Sequence, residues 1–192
     1  VKKILNIRGG DGSGKTTAVW EYLKNHSFDY RSIVVGKRYK SELTVVDGGR
    51  VIICGAYDGT RGSGVDKYKG GKQLVPTIAK VIRTYYPDTV IYEGYVFSTV
   101  AGVNKKIAQM ARDYGYQWVG IYLSLTLKEQ ESNLEERYNR TDYLDITKIE
   151  QQNEVIRRAT RRMLQSGEAI RKVNISGYPK PKMAQIIEKE IG

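Results

Sequence analysis

The segment Gly9-Gly10-Asp11-Gly12-Ser13-Gly14-Lys15-Thr16, with Thr17 behind it, constrains this chain more than any other. It satisfies the pattern G-x-x-x-x-G-K-[ST], and its flanks supply the strand–loop–helix context that the pattern requires. Ile4, Leu5 and Ile7 make a short buried-strand pattern before it, and Val19, Trp20 and Leu23 make the apolar stripe of a helix over 17–24 after it. Glycines let the backbone turn tightly enough for successive amides to converge on phosphate oxygens, and the helix that follows adds its positive dipole end. Gly10, Gly12, Ser13, Gly14, Lys15, Thr16 and Thr17 are therefore expected to bind a nucleoside triphosphate. Lys15 is placed to reach the β and γ phosphates, and the Thr16 hydroxyl to ligate Mg²⁺.

Further along, apolar runs and helical stripes alternate. Strands are expected at 32–35, 43–47, 50–54, 89–92, 118–123 and 171–175, and helices near 74–85, 100–114, 128–140, 146–166 and 182–191. Alternation of this kind implies an α/β fold with a parallel sheet and helices on both faces. Gly48-Gly49 reads as the turn of a small, peripheral antiparallel hairpin. The segment 55–71 contains six glycines and is long enough for a functional loop. The whole of 1–192 reads as one domain, with an acceptor-side insertion near 38–72 and a helical lid near 137–165.

Composition narrows the partners. The net charge is +11 and concentrates between the first helix and the central strand, where 31–83 holds eleven Lys/Arg against four acids. Such a surplus draws polyanions. Fifteen tyrosines against two phenylalanines supply rings with polar tips, suited to stacking on bases. No run of about 18 apolar residues is present, so no membrane partner is expected. The lone cysteine, Cys54, sits in an apolar run, and no signal peptide is visible; both point to a reducing cytoplasm. His26 is the only histidine, which excludes a His-based metal site or triad.

Phosphoryl transfer also needs a metal, positive charge on the transferring group and something to orient the acceptor. Glu93 ends an apolar strand, at the edge where open α/β sheets bind ligands, so it could hold Mg²⁺ through water or take the acceptor's proton. Asp11, inside the loop, is a second carboxylate facing the acceptor. Arg137 and Arg140, at i and i+3, could fold over the phosphates or simply complement a helix C-terminus. Arg157, Arg158, Arg161 and Arg162 share one helical face, which is a lid, a nucleic-acid track or a solvated surface. Tyr57, Asp58, Arg61, Asp66 and Lys67, with Tyr95, make up the expected acceptor site: a ring to stack, cations for backbone, a carboxylate for a hydroxyl.

At this point the residues resemble a known family. Gly9–Thr17, with Asp11 at the third position, is similar to the phosphate loop of thymidylate kinases. Glu93-Gly94-Tyr95-Val96-Phe97-Ser98 resembles that family's Asp-Arg-Tyr-x-x-Ser stretch, and the helix bearing Arg137 and Arg140 resembles the start of its lid. The resemblance implies a nucleoside-monophosphate-kinase-like P-loop fold. In that family the arginine of Asp-Arg-Tyr grips the acceptor's 5′-phosphate, whereas this chain has Gly94. The departure, with the positive surplus, favours a hydroxyl on a polymer over a free nucleotide. The nearest resemblance is to bacteriophage kinases that phosphorylate 5-hydroxymethyluracil in DNA. It implies ATP and Mg²⁺ as cofactors and DNA as substrate, in host cytoplasm. A kinase of free nucleosides or nucleoside monophosphates, and a nucleic-acid-binding ATPase, are the alternatives.

Overall fold

The computed structural model describes residues 1–58, 64–138 and 145–192. In chain order the elements are β1 (Lys3–Arg8), α1 (Lys15–Lys24), β2 (Phe28–Val35), β3 (Tyr39–Val46), β4 (Val51–Cys54), α2 (Gly71–Tyr85) and β5 (Thr89–Glu93). They continue with α3 (Tyr95–Thr99), α4 (Ala101–Asp113), β6 (Gln117–Ser124), α5 (Leu127–Tyr138), α6 (Ile146–Gln165), β7 (Ala169–Asn174) and α7 (Ala184–Ile191). One seven-stranded sheet runs in the order β2-β3-β4-β5-β1-β6-β7. The β4-β5-β1-β6-β7 portion is parallel throughout, and β2 and β3 extend it as an antiparallel pair.

The expected parallel sheet is therefore present, but the hairpin is not peripheral. Val51–Cys54 is buried at every position and lies between β3 and β5, parallel to β5. The antiparallel pair across Gly48-Gly49 is present as β3–β4, but four consecutive apolar residues with no polar alternation belong to a strand covered on both faces, which places β4 inside the sheet. The outer hairpin is instead β2–β3, joined through Gly36. The first of those strands begins at Phe28, four residues ahead of the expected start.

Period-two alternation along the central strands sorts the core into two layers. Ile4, Val90 and Tyr92 pack with α2 and α4, together with Ala159 and Met163 of α6. Leu5, Ile7 and Ile91 pack with α1 and α7 on the other face. Residues 137–165, expected to form a lid, contain α6, whose Ile149, Ile156, Ala159 and Met163 are buried against the body of the molecule. Its arginines at 157, 158, 161 and 162 face solvent, with Arg157 and Arg158 paired to Glu154 at 3.2 and 3.8 Å. Among the described residues no helix is long and apolar enough to cross a membrane.

The same alternation sends Asn6 and Arg8 toward the layer built by α3 and α6. Arg8 is fully buried immediately before the phosphate-loop motif. Its guanidinium donates to Asn6 Oδ1 at 2.9 Å, to the Ser98 carbonyl at 2.7 Å and to Thr160 Oγ1 at 3.4 Å. Burial lowers its pKa to about 10, which leaves it charged at neutral pH. The Ser98 hydroxyl completes the junction, accepting from Gly9 N at 3.3 Å and donating to the Gly94 carbonyl at 2.9 Å. One buried cation thus ties the entry of the loop to β1, α3 and α6. Arg8→Ala is expected to destabilise the protein by about 2–4 kcal/mol in urea unfolding, because it opens a cavity and strands buried acceptors. Arg8→Lys should recover only part of that loss, since one ammonium cannot span three acceptors on separate elements.

Candidate active site

The loop between β1 and α1 lies at the carboxyl ends of the parallel strands. Lys15 opens α1, and its side chain folds back so that Nζ donates to the Gly10 carbonyl at 2.9 Å. The loop rests on the helices behind it. Asn133 donates to the Gly12 carbonyl at 2.8 Å, and Asn153 donates to Gln130 Oε1 at 2.7 Å beneath Gly10. The residues expected to bind the triphosphate are thus held in one tight turn, and Gly12, Ser13, Gly14, Lys15, Thr16 and Thr17 line a cavity of about 400 Å³.

Glu93 faces that loop from the neighbouring strand. β5 pairs with β1 so that Glu93 stands beside Ile7, and it points to the same face as Ile91, toward α1. It is 1% exposed, and its Oε1 accepts from Thr16 Oγ1 at 3.1 Å and Tyr57 OH at 3.0 Å. Burial raises its pKa; Lys15 and the two hydroxyl donors pull it back down, while Asp66 pushes it further up. The two residues expected to serve a metal, Thr16 and Glu93, are therefore in direct contact. Gly64 permits this arrangement, since a Cβ there would lie 2.5 Å from Glu93 Oε1.

The expected acceptor residues do not gather as one patch. Tyr57 is fully buried, edge-on to Trp20, so its ring is not presented for stacking and its hydroxyl serves Glu93 instead. Asp66 lines the cavity with Asp11 and Glu93, and its Oδ2 accepts from Tyr95 N at 3.2 Å. Although Asp66 as a residue is exposed, its carboxyl packs against the start of α3, and that lost solvation raises its pKa. Asp58 and Lys67 are exposed, and the Tyr95 side chain is half-buried. Arg137 lines the cavity from the end of α5, its guanidinium 5.6 Å from the ring centre of Tyr138. Arg61 and Arg140 lie outside the described residues.

Several residues of the site were not anticipated. Ile175, Tyr178 and Met183 form the far wall, and Lys180 pairs across to Glu136 at 2.8 Å. Glu129 receives Thr126 Oγ1 at 2.6 Å, Thr126 N at 2.9 Å, Ser176 Oγ at 2.8 Å and Gly177 N at 3.1 Å. These bonds, those from the Thr126 hydroxyl and Ser176 foremost, lower its pKa to about 2. Thr126 and Glu129 have capping-box spacing at the start of α5, and that signal was available in the sequence. The contacts to Ser176 and Gly177 were not, because they depend on β6 and β7 ending side by side.

A loop of backbone amides, one lysine and a hydroxyl facing a buried strand-end carboxylate make a cleft suited to a phosphorylated ligand. The chain belongs to the 5-hmdU DNA kinase family, whose model matches residues 1–166. It is similar to the 5-hmdU DNA kinase of Delftia phage PhiW-14, with 29% identity over 119 residues, covering 58% of this chain and 45% of that protein. It is also similar to 5-hmdU DNA kinase 1 of Salmonella phage ViI, with 31% identity over 99 residues, covering 51% of this chain and 44% of that protein. The matches therefore span less than half the length of either curated relative.

Glu129 provides a pH-dependent test of the cleft wall. Its pKa in the folded protein lies below the unfolded value, so its contribution to stability is full above about pH 4.5 and is lost as pH falls toward about 2. The urea midpoint of Glu129→Gln should fall below that of the wild type by its largest margin near about pH 6. That margin should shrink steadily below about pH 4, as measured by paired denaturation curves.

Proposed function

We propose that this protein is an ATP-dependent kinase with a P-loop kinase fold. Its acceptor is the hydroxymethyl group of 5-hydroxymethyluracil in DNA. Family membership and the names of both relatives support the acceptor. The observation that carries the donor half is the contact of Thr16 with buried Glu93, within the cleft that Lys15 also lines. In this reading Lys15 and the loop amides hold the β and γ phosphates. Arg137 neutralises charge on the transferring phosphoryl, joined by Arg140, and the flank formed by 38–72 receives the acceptor. The residues act as one domain over 1–192, with the cover over the phosphates beginning near Arg137.

The donor set fits Mg²⁺. Among the described residues no three His, Cys, Asp or Glu side chains cluster as a metal site. Mg²⁺ commonly binds through one or two protein oxygens, keeping waters and substrate phosphates as its other ligands. Thr16 and Glu93 offer such a pair. When bound, the ion would screen the β and γ oxygens and orient them. The phage origin of both relatives supports the cytoplasm of an infected host as the setting.

The test is incubation with γ-labelled ATP and one of three acceptors: an oligonucleotide containing 5-hydroxymethyluracil, the same sequence with thymine, or free nucleosides and nucleoside monophosphates. Label should enter only the hydroxymethyl oligonucleotide. Lys15→Ala should lower the rate by about 10²-fold or more, equivalent to roughly 3 kcal/mol of transition-state stabilisation. Label found only in free nucleotides would overturn the acceptor assignment. Phosphate release without labelled product would overturn the transfer itself.

A further inference from the structure

The cleft is lined by more carboxylates than cations, and Glu129 and Glu136 share the side of Arg137 and Lys180. Among the described residues its cationic lining consists of Lys15, Arg137 and Lys180, the last two on the side of α5 and the segment before α7. The side reached from β4 and β5 presents Asp66 and Glu93, and Asp11 comes from the loop. An acceptor that brought a phosphate dianion here would meet carboxylates of the same sign, whereas a neutral hydroxyl meets a hydrogen-bond acceptor.

The carboxylates of the cleft differ in what they are free to do. Glu93 is buried, with one oxygen shared by Thr16 and Tyr57. Glu129 is held by Thr126, Ser176 and Gly177, and Glu136 pairs with Lys180. Asp66 lines the cleft while held by the backbone of Tyr95 and Val96 at the start of α3, whereas Asp11 lines it from the loop with no such hydrogen bond among the described residues. The Oδ2 of Asp66 is fixed by the first amide of α3, and its Oδ1 occupies the space beside Gly94. A Cβ at position 94 would stand 2.6 Å from that oxygen. The backbone of Gly94 is extended, with φ 168°, a conformation open to any residue, so the requirement for glycine there is the space taken by Asp66.

We propose that Asp66 is the group that accepts the proton of the acceptor hydroxyl, and that Gly94 is the vacancy that lets it reach the cleft. The inference rests on the kinase reading above and refines it: the acceptor is a neutral alcohol and not a phosphate. In the step, the hydroxyl O–H bond breaks and its proton passes to the Asp66 carboxylate. The freed oxygen pair forms the new bond to the γ phosphorus. The bond from that phosphorus to the β–γ bridging oxygen breaks, and its electron pair leaves with ADP. The residue left by sequence reasoning as one of several acceptor contacts is thereby given a single atom to act on.

The test compares Asp66→Asn with Asp66→Ala on the hydroxymethyl oligonucleotide. Asparagine keeps an oxygen to accept from Tyr95 N but cannot take a proton, so it separates the chemical role from the cap on α3. Asp66→Asn should lower kcat by about 10²–10⁴-fold. Its melting temperature, the rise in that temperature on adding ATP, and KM for DNA within about threefold should match the wild type. Gly94→Ala should likewise lower kcat while keeping the ATP-induced rise. The assignment is overturned if Asp66→Asn turns over within about threefold of the wild type. It is equally overturned if Asp66→Asn loses both melting temperature and the ATP response. If the wild type phosphorylates a different alcohol, the proposed acceptor fails but the variant ratio on that alcohol still decides Asp66. Phosphorylation of a nucleoside monophosphate on its phosphate would overturn the Asp66 role directly.

Discussion

The site depends on one unfavourable act, the burial of the Glu93 carboxylate at the end of the central strand. Removing such a charge from water costs several kcal/mol unless partners restore what the water supplied. Here the partners come from two separate parts of the chain: Lys15 and Thr16 from the start of α1, and Tyr57 from the segment after β4. Much of the local architecture follows. Tyr57 is drawn into the core with its hydroxyl as the only polar group it must place. Gly64 is required because the glycine-rich segment passes directly over the carboxylate. The long loop that composition alone would assign to solvent is, at Tyr57 and Gly64, folded against Glu93.

A second constraint is that the glycine-rich turn between β1 and α1 must hold its shape without help from a ligand. Amides that point inward repel one another until an anion arrives, so the carbonyl side has to be anchored. Asn133 holds the Gly12 carbonyl, Lys15 holds that of Gly10, and the Arg8–Ser98 junction holds the entry at Gly9. Anchoring of this kind lowers the ordering cost of binding and keeps the donors aimed where charge develops. It also explains why α5 and α6, distant in sequence, lie against the loop through Gln130 and Asn153.

How much of this could be read in advance depended on the range of each interaction. The glycine-rich loop between a strand and a helix, and Glu93 at a strand end, were legible because period, glycine spacing and the Lys-Thr pair are local. The antiparallel pair across Gly48-Gly49 was legible in its turn, and the internal place of Val51–Cys54 was written in its unbroken apolar run, but the parallel partner β5 that makes it internal is distant in sequence. Arg8 carried no signal, since an arginine beside an exposed-looking loop reads as surface until α3 and α6 are known to cover it. Tyr57 and Asp66 illustrate the same limit. They sit in one polar, glycine-rich stretch, yet one is buried under Glu93 and the other opens onto the cleft, a difference set by the path of the loop and not by composition.

The charge map acquires a different meaning once these positions are known. Among the described residues the positive surplus of 31–83 lies outside the cleft: Lys37, Arg38, Lys40, Lys67, Lys69 and Lys72 are all exposed. Gln73 draws part of it together, donating to the Lys40 carbonyl and accepting from Lys69 N beside Lys72. The cleft wall next to this flank carries Asp66 and Glu93. A small phosphorylated acceptor would have to place its own charge against those carboxylates to react. A polymer separates the two demands, since its backbone phosphates can lie on the outer lysines, where charge–charge contact is long-ranged and salt-dependent, while only an uncharged group enters the cleft. Cations outside and carboxylates within the cleft therefore disfavour a group that brings its own negative charge and suit an uncharged one.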